Sequence, residues 1–448
     1  MDPRDKPTEP VRMVYARADG SIIDHPELRL AGVGGGAPRA VREDELIPLP
    51  RGSDLFLLPG RRPIGLDPGS GAAVEWDGDG EEVTAVAAFL APAWTMFLHP
   101  AYRTRDGAPT LPLFAYSAVG FAGGQLWATG LRVDEDIRQD PWRFDPKRLH
   151  KQVARRLAET KSNLVVQQLE KCALTYGCRA AQNYFIGRHE APIPTSVACN
   201  SKCIGCISMQ PDGEFRASHD RIRRAPTPDE IADMAVGHIE RVPEGVVSFG
   251  QGCEGEPLLG RELLPAATRR IRERTSNGTV NVNTNGSLPE VVDAMCHAGL
   301  DAIRVSMNSA RADVYTSYYR PKKYTFDDVR ETLRVMRTHD RYRSINYLVF
   351  PGVTDTDDEL EAISAFVEDT DLDLIQMRNL NIDPELYRER LPAGVAREGF
   401  GLGEFMRRLR ARFPRLHYGY FNPSKETYAR RRAEHPAVRQ GATDSRAT

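Results

Sequence analysis

The order of apolar and polar positions divides the chain into three textures. From about Val11 to Asp136, short apolar runs are broken by Gly and Pro, which predicts β-strands. The stretch RMVYARADGSIIDH reads as a hairpin with Ala18-Asp19-Gly20 at its turn. DLFLLPG, TAVAAFL, WTMFL, LFAYSAVGF and QLWATGLRV are further strand candidates. Between about Asp145 and Arg188, apolar residues recur at helical spacing among good helix formers, which predicts two or three helices. From about Pro192 the chain alternates. PTSVAC, GVVSFG, VNVNTNG, DAIRVSMNSA, INYLVFPG and DLIQMRNL read as strands, with helical patterns between them. The first of those helices opens on a capping box, Thr227 with Glu230. Six strands alternating with helices imply a parallel barrel or part-barrel. Alternation alone leaves a doubly wound open sheet as the alternative.

These textures suggest five segments. Residues 1–10 are a disordered lead-in, 11–144 a β-rich accessory domain and 145–190 a helical connector. Residues 191–421 are the core, and 422–448 a polar C-terminal tail. Strand faces sharpen the core. Asn281, Asn283 and Asn285 alternate with Val280, Val282 and Thr284. Arg304, Ser306 and Asn308 alternate with Ile303, Val305 and Met307, and Gln376 and Arg378 with Ile375 and Met377. If the apolar sets face the helices, the polar sets face the lumen. A small closed barrel fills its lumen with branched apolar side chains, so polar lumen faces suggest a bound polar ligand.

Composition narrows the class. The net charge of −2 gives no global basic excess for nucleic acid or an anionic membrane. No apolar run reaches the roughly 18–20 residues that span a bilayer. The N-terminus is charged and Pro-rich, unlike a secretory signal. Seven cysteines are no disulfide framework and fit a reducing compartment, so the expected location is the cytoplasm. All four tryptophans lie in the first third, where they read as packing or as a surface for a substrate or partner. Gly34-Gly35-Gly36 lacks the strand-then-helix context of a dinucleotide loop.

Three of the seven cysteines, Cys199, Cys203 and Cys206, fall in CNSKCIGC. Thiolates are soft ligands suited to iron–sulfur clusters and zinc. Three on one loop can hold three corners of a cubane cluster and leave the fourth iron open. A structural zinc prefers four protein ligands, and the neighbouring His189 and His219 are not at finger spacing. Cys172 and Cys178 read as buried thiols or as ligands of a second cluster, for which only Cys253 and Cys296 remain, far away in sequence. No second cluster is expected.

The C-x-x-x-C-x-x-C spacing resembles the signature of the radical S-adenosylmethionine (SAM) superfamily. The resemblance extends over about residues 192–383. Gly255-Glu256-Pro257 looks like that family's Gly-Gly-Glu-Pro element at the SAM amino group. Thr284-Asn285-Gly286 matches a frequent third-strand ending. Ser306 and Asn308 stand where the family places polar groups on the SAM ribose and carboxylate. Val353, within FPGVTD, lies where a loop supports adenine. The resemblance implies a partial (β/α)6 barrel of radical SAM type, one [4Fe–4S] cluster, SAM, and an external electron donor such as flavodoxin or ferredoxin. It implies reductive cleavage of SAM to a 5′-deoxyadenosyl radical that abstracts hydrogen from a substrate. One departure stands out: the residue before the third cysteine, usually aromatic in the family, is Gly205.

Substrate candidates are Arg304, Tyr318, Tyr319, Arg320, Gln376 and Arg378, a set able to grip an anionic or aromatic group or simply to tie loops to helices. Cys253, beside the SAM element, is a candidate catalytic thiol, hydrogen donor or extra ligand. A peptide or RNA substrate is an alternative within the family. A non-catalytic iron–sulfur electron carrier is the alternative outside it.

Overall fold

The computed structural model describes residues 6–160, 162–209, 217–251 and 254–434. Cys253 lies outside the described residues. The core is a seven-stranded, all-parallel sheet whose strands follow one another in chain order. They are numbered β1 (Glu190–Ile193), β2 (Val246–Phe249), β3 (Thr279–Thr284), β4 (Ala302–Met307), β5 (Tyr342–Val349), β6 (Leu374–Asn379) and β7 (His417–Gly419). Among the described residues β7 does not pair with β1, so this is a part-barrel and not a closed one. Sequence pattern accounts for five of the strands, β2 to β6. The expected strand PTSVAC is instead loop: the first strand is the preceding segment Glu190–Ile193 and ends before Pro194, and β7 adds a seventh strand at the other edge.

Outside the sheet, α4 (Pro228–Ile239), α5 (Leu263–Arg274), α6 (Pro289–Ala298), α8 (Phe326–Thr338), α9 (Asp357–Thr370) and α11 (Leu402–Arg412) form the outer layer. Two shorter helices, α7 (Ala312–Tyr319) and α10 (Pro384–Arg390), follow β4 and β6. The α4 capping box forms as expected, with Thr227 Oγ1 accepting from the Glu230 N–H at 3.2 Å. Val280, Val282, Ile303, Val305, Met307, Ile375 and Met377 are fully buried in one continuous core. The connector is three helices, α1 (Pro146–Thr160), α2 (Leu164–Leu174) and α3 (Arg179–Ile186). Past residue 422 the chain is not only a polar tail. Asn422 and Ser424 are buried, and α12 (Lys425–Glu434) follows.

Asn422 spans the open side of the barrel. Its Nδ2 donates to Glu190 Oε1 at 2.7 Å and to Asn283 Oδ1 at 3.1 Å, while its Oδ1 accepts from Gln376 Nε2 at 2.8 Å. One amide thus links β1, β3 and β6 where no strand pairing does. In a low-dielectric lumen such a satisfied network is rigid, and any unpaired member would be costly.

The N-terminal region is an antiparallel sheet of short strands. Arg12–Arg17 pairs with Ile22–Val33 as the expected hairpin, with Gly20 at φ 83° and Asp19 Oδ1 accepting from the Ser21 N–H at 2.9 Å. LFAYSAVGF forms a strand only over Val119–Ala122. This sheet docks on the mouth of the barrel. Strand Trp94–Met96 meets the end of β6: Asn379 Oδ1 accepts from the Met96 N–H at 2.9 Å, and Asn379 Nδ2 donates to Trp94 O at 3.1 Å. The Gly34-Gly35-Gly36 run is a contact surface. A Cβ on Gly35, at φ 88°, would collide with the backbone of Gly352 and Arg397.

A buried ion pair, Arg61 Nη2 to Asp383 Oδ2 at 2.9 Å, also crosses between the two regions, both side chains being 3% exposed. Asp383 caps α10 and accepts from the Leu111 N–H at 2.8 Å. Removing one partner of such a pair strands a charge, at a cost of about 3–5 kcal/mol. Asp383→Ala is therefore expected to lower the urea midpoint markedly, whereas loss of the exposed Arg430–Glu244 pair should change it little.

Candidate active site

The cysteine loop follows β1 at the C-terminal mouth of the barrel. It is held from two sides. On one side are the C-terminal end of α7 and the residues after it: the Lys202 N–H donates to Tyr319 O at 3.0 Å, the Ile204 N–H to Tyr318 O at 3.1 Å, and the Lys322 N–H to Asn200 O at 2.8 Å. On the other side, the Gly255 N–H donates to Ser196 O and the Glu256 N–H to Ala198 O, each at 2.8 Å. Position 255 needs glycine because a Cβ there would collide with the Ala198 backbone.

Asn285, at the end of β3, joins the two sides. Its Nδ2 donates to Asn200 Oδ1 at 2.8 Å and to Ser201 Oγ at 3.0 Å, and its N–H donates to Glu256 Oε2 at 2.8 Å. Glu256 also accepts from Thr284 Oγ1 and from the Leu258 N–H at 3.0 Å. Burial nonetheless pushes its carboxyl up to about 7. Glu254 is raised to about 7 by burial as well, although it accepts from Thr195, Ser196 and Gly250.

Cys199 and Cys203, Gly255-Glu256-Pro257, Asn285, Ser306, Tyr319, Arg304 and Arg378 line one cavity of about 470 Å³. Burial, then the Glu256 carboxylate, pushes the Cys199 thiol up to about 11. Cys203 is raised well above its ordinary value by burial first, and then by Cys206 and Cys199. Thiols that oppose one another's ionisation in this way are suited to a cationic metal centre, which replaces their protons. The donor set therefore fits an iron–sulfur cluster. His189 and His219, the nearest histidines in sequence, do not line the cavity, so they supply no fourth zinc donor there.

Other expected residues fall elsewhere. Asn308 lies past the end of β4, where its Nδ2 donates to Val314 O and to Tyr387 Oη, away from the cavity. Val353 is packed in the core at 2% exposure. Arg320 caps α7 at φ 46°, its N–H on Thr316 O, and lines neither this cavity nor its neighbour. Gln376 is fully buried and acts through Arg304, whose Nη1 donates to its Oε1 at 3.2 Å. Cys178 caps α3 and lines the cavity as a free thiol, whereas Cys172 is buried and disulfide-bonded and so is neither a free thiol nor a cluster ligand.

A second cavity, about 370 Å³, adjoins the first and shares Cys203, Ser306, Tyr319, Asn346 and Arg378 with it. Phe89 and Leu90 of the N-terminal sheet form one wall, and Tyr318, Gly205 and Cys206 another. Gly205 has a physical reason. A Cβ there would lie 2.6 Å from the Tyr318 hydroxyl and 3.3 Å from its ring. The ring of Tyr318, edge-on to Tyr319 and Tyr387, occupies the space that a side chain at 205 would need. Sequence reasoning missed Phe89, Leu90, Glu190, Asn346 and Asn422. Only Asn346 carried a signal, as the polar residue between Ile345 and Tyr347 in β5.

Residues 193–365 match the family model of the Radical SAM superfamily. The chain carries a radical SAM domain. Among curated proteins, this chain is 28% identical over 219 residues to a GTP 3',8-cyclase of Streptomyces coelicolor, covering 48% of this chain and 58% of that protein. A GTP 3',8-cyclase of Chlorobaculum tepidum is 26% identical over 200 residues, covering 43% and 53%. The chain thus spans little more than half the length of either relative. Among solved structures, methylornithine synthase superposes with a TM-score of 0.38 at 14% identity, over 60% of this chain and 78% of that one. A radical SAM methyltransferase from Sphaerobacter thermophilus gives 0.36 at 18% identity, over 51% and 66%. With TM-scores this low, neither structure adds to the assignment. Among the described residues no helix is long and apolar enough to cross a membrane.

Proposed function

We propose that the protein is a radical SAM enzyme acting on a small molecule. Cys199, Cys203 and Cys206 hold one [4Fe–4S] cluster, and SAM occupies the cavity against Gly255-Glu256-Pro257, Asn285 and Ser306. The observation that carries this reading is the hydrogen-bonded unit joining the cysteine loop, Glu256 and Asn285 around one cavity. When bound, the cluster and SAM supply the reductive carbon–sulfur cleavage that yields methionine and a 5′-deoxyadenosyl radical able to abstract hydrogen.

The chain's own residues bind, orient and shield. Glu256 offers a buried carboxylate at the amino-group position, and its raised proton affinity falls when a cation is placed beside it. Gly255 lets the backbone approach the cysteine loop. Tyr318, beside Gly205 in the adjoining second cavity, supplies the aromatic surface that the family places at position 205. Phe89 and Leu90 cover the mouth and limit water. A one-electron donor of flavodoxin or ferredoxin type is the proposed partner. The size of the two cavities and the small-molecule activity named for both curated relatives support a small molecule over a peptide or RNA. Adding SAM to the reduced, reconstituted protein is expected to change its electron paramagnetic resonance spectrum. An unchanged spectrum from a fully loaded cluster would count against SAM binding at the open iron.

A further inference from the structure

Two guanidiniums face the lumen without an ion-pair partner among the described residues. The register places Ser306, Asn346 and Gln376 level with one another across β4, β5 and β6. Arg304 lies one lumen position below Ser306, and Arg378 one above Gln376. Arg304 donates through Nη1 to Gln376. Arg378 lies 4.0 Å from the centre of the Tyr420 ring and donates through Nη2 to Tyr420 O at 2.6 Å. The Nε atoms of both are buried without a hydrogen-bond partner, as are Asn346 Oδ1 and the Tyr319 hydroxyl. All four side chains line the first cavity.

Among the described residues neither arginine is within ion-pair distance of an acid. The three cavity carboxylates are committed to neutral donors. Glu190 accepts from Ser248, Gln251 and Asn422; Glu254 from Thr195, Ser196 and Gly250; and Glu256 from Thr284, Asn285 and Leu258. Burial and the neighbouring Arg378 charge make Arg304 easier to deprotonate, and the Glu190 carboxylate, beyond ion-pair distance, opposes them only in part. Two like charges held in one desolvated space are costly unless an anion joins them.

We propose that Arg304 and Arg378 bind an oxyanion, a carboxylate or a phosphate, carried by a small-molecule substrate. The calling of this anion a substrate group rests on the radical SAM reading; the anion site itself does not. Guanidiniums are the donors best matched to such groups. Asn346 Oδ1 and the Tyr319 hydroxyl add polar partners between the two. Leu348, Leu380, Phe89 and Leu90 give the remainder of the molecule an apolar wall. Arg378 lies on β6, two strands beyond Ser306, the last strand residue of the proposed SAM site. Arg304 shares β4 with Ser306 but lies one lumen position deeper, so the pair together reaches away from the SAM residues, and the anion is assigned to the second ligand on the position of Arg378.

The test uses the full chain with two probes, inorganic pyrophosphate and succinate, measured by calorimetry before and after cluster reconstitution. At least one probe is expected to bind, and which one binds tells phosphate from carboxylate. Arg304→Gln and Arg378→Gln should each weaken it by roughly tenfold, the scale of one charge-assisted contact. SAM affinity of the reconstituted protein should stay unchanged. Binding of neither probe, or equal binding by both variants, would overturn the site. A parallel loss of SAM affinity would assign the arginines to SAM. If a variant fails to fold, the wild-type chain decides: the bound probe should protect Arg304 and Arg378 from phenylglyoxal, read by peptide mass spectrometry, and equal labelling with and without it would refute the proposal. Failure to cleave SAM while the probe still binds would sink the enzymatic reading and leave the anion site standing.

Discussion

Replacing Cys199, Cys203 and Cys206 together with alanine is expected to take iron after anaerobic reconstitution from about four atoms per chain to near zero. The effect should be this large because the three thiols share one loop whose backbone is fixed by Tyr318, Tyr319 and the Gly255-Glu256 segment. Fixed donors give a cluster three ligands at no cost in loop ordering. The variant should otherwise keep its fold. The core cluster of β2–β6 takes one buried residue from the loop, Ile204, which the variant keeps, and Asn285 still holds Asn200 and Ser201. Circular dichroism should therefore be unchanged while the iron absorbance disappears. Retention of about four irons would place a cluster elsewhere. It would return attention to Cys178, which lines the same cavity.

The second large effect concerns Gly205 and Tyr318. Tyr318→Ala is expected to weaken SAM binding by roughly tenfold or more, the scale of removing one base–aromatic contact. Gly205→Phe alone should also weaken it, and should destabilise the protein by about 1–3 kcal/mol, because its side chain meets the Tyr318 ring. The double variant removes the clash and restores an aromatic group to the same space. Its thermal midpoint and SAM affinity should both recover towards wild type. A double variant no better than the sum of the two singles would show that Tyr318 only fills space. Neighbouring residues are expected to be non-additive in this way.

The parts of the site written in short contiguous stretches were readable from the sequence. CNSKCIGC, GEP and TNG each lie at a strand end, and strand alternation brings such ends to one mouth. The lumen faces of β3, β4 and β6 were readable for the same reason, since a period of two leaves little choice of face. Residues beyond a strand end were not. Asn308 is one residue past Met307, where the chain has already turned towards Tyr387. Val353 sits in a turn whose inward side is set by Gly35 packing on Gly352. The first and last strands were blurred for different reasons. Glu190–Ile193 contains a charge and a proline, and its Glu190 faces a polar network instead of a core. His417–Gly419 is three residues long, too short to show a period. The roof of Phe89 and Leu90, and Asn422 at the barrel seam, come from segments far from the motifs in sequence. Only the docked sheet and the returning C-terminal segment bring them there.

These long-range pieces change what the core can do. A cysteine loop beside an open sheet edge could pass electrons. Here the loop faces a cavity with polar lumen strands below it and apolar side chains of another region above it. Such a lined cavity favours chemistry on a held molecule over simple electron transfer. It also explains why the N-terminal sheet is fixed by buried contacts such as Arg61–Asp383 rather than by a flexible linker alone.

The most direct measurement is product analysis of the anaerobically reconstituted, full-length chain, with iron and sulfide quantified beforehand. After dithionite reduction and addition of SAM, the account predicts methionine and 5′-deoxyadenosine in equal amounts, both absent from the triple cysteine variant. A chain that carries a full cluster and forms no 5′-deoxyadenosine under these conditions would contradict it.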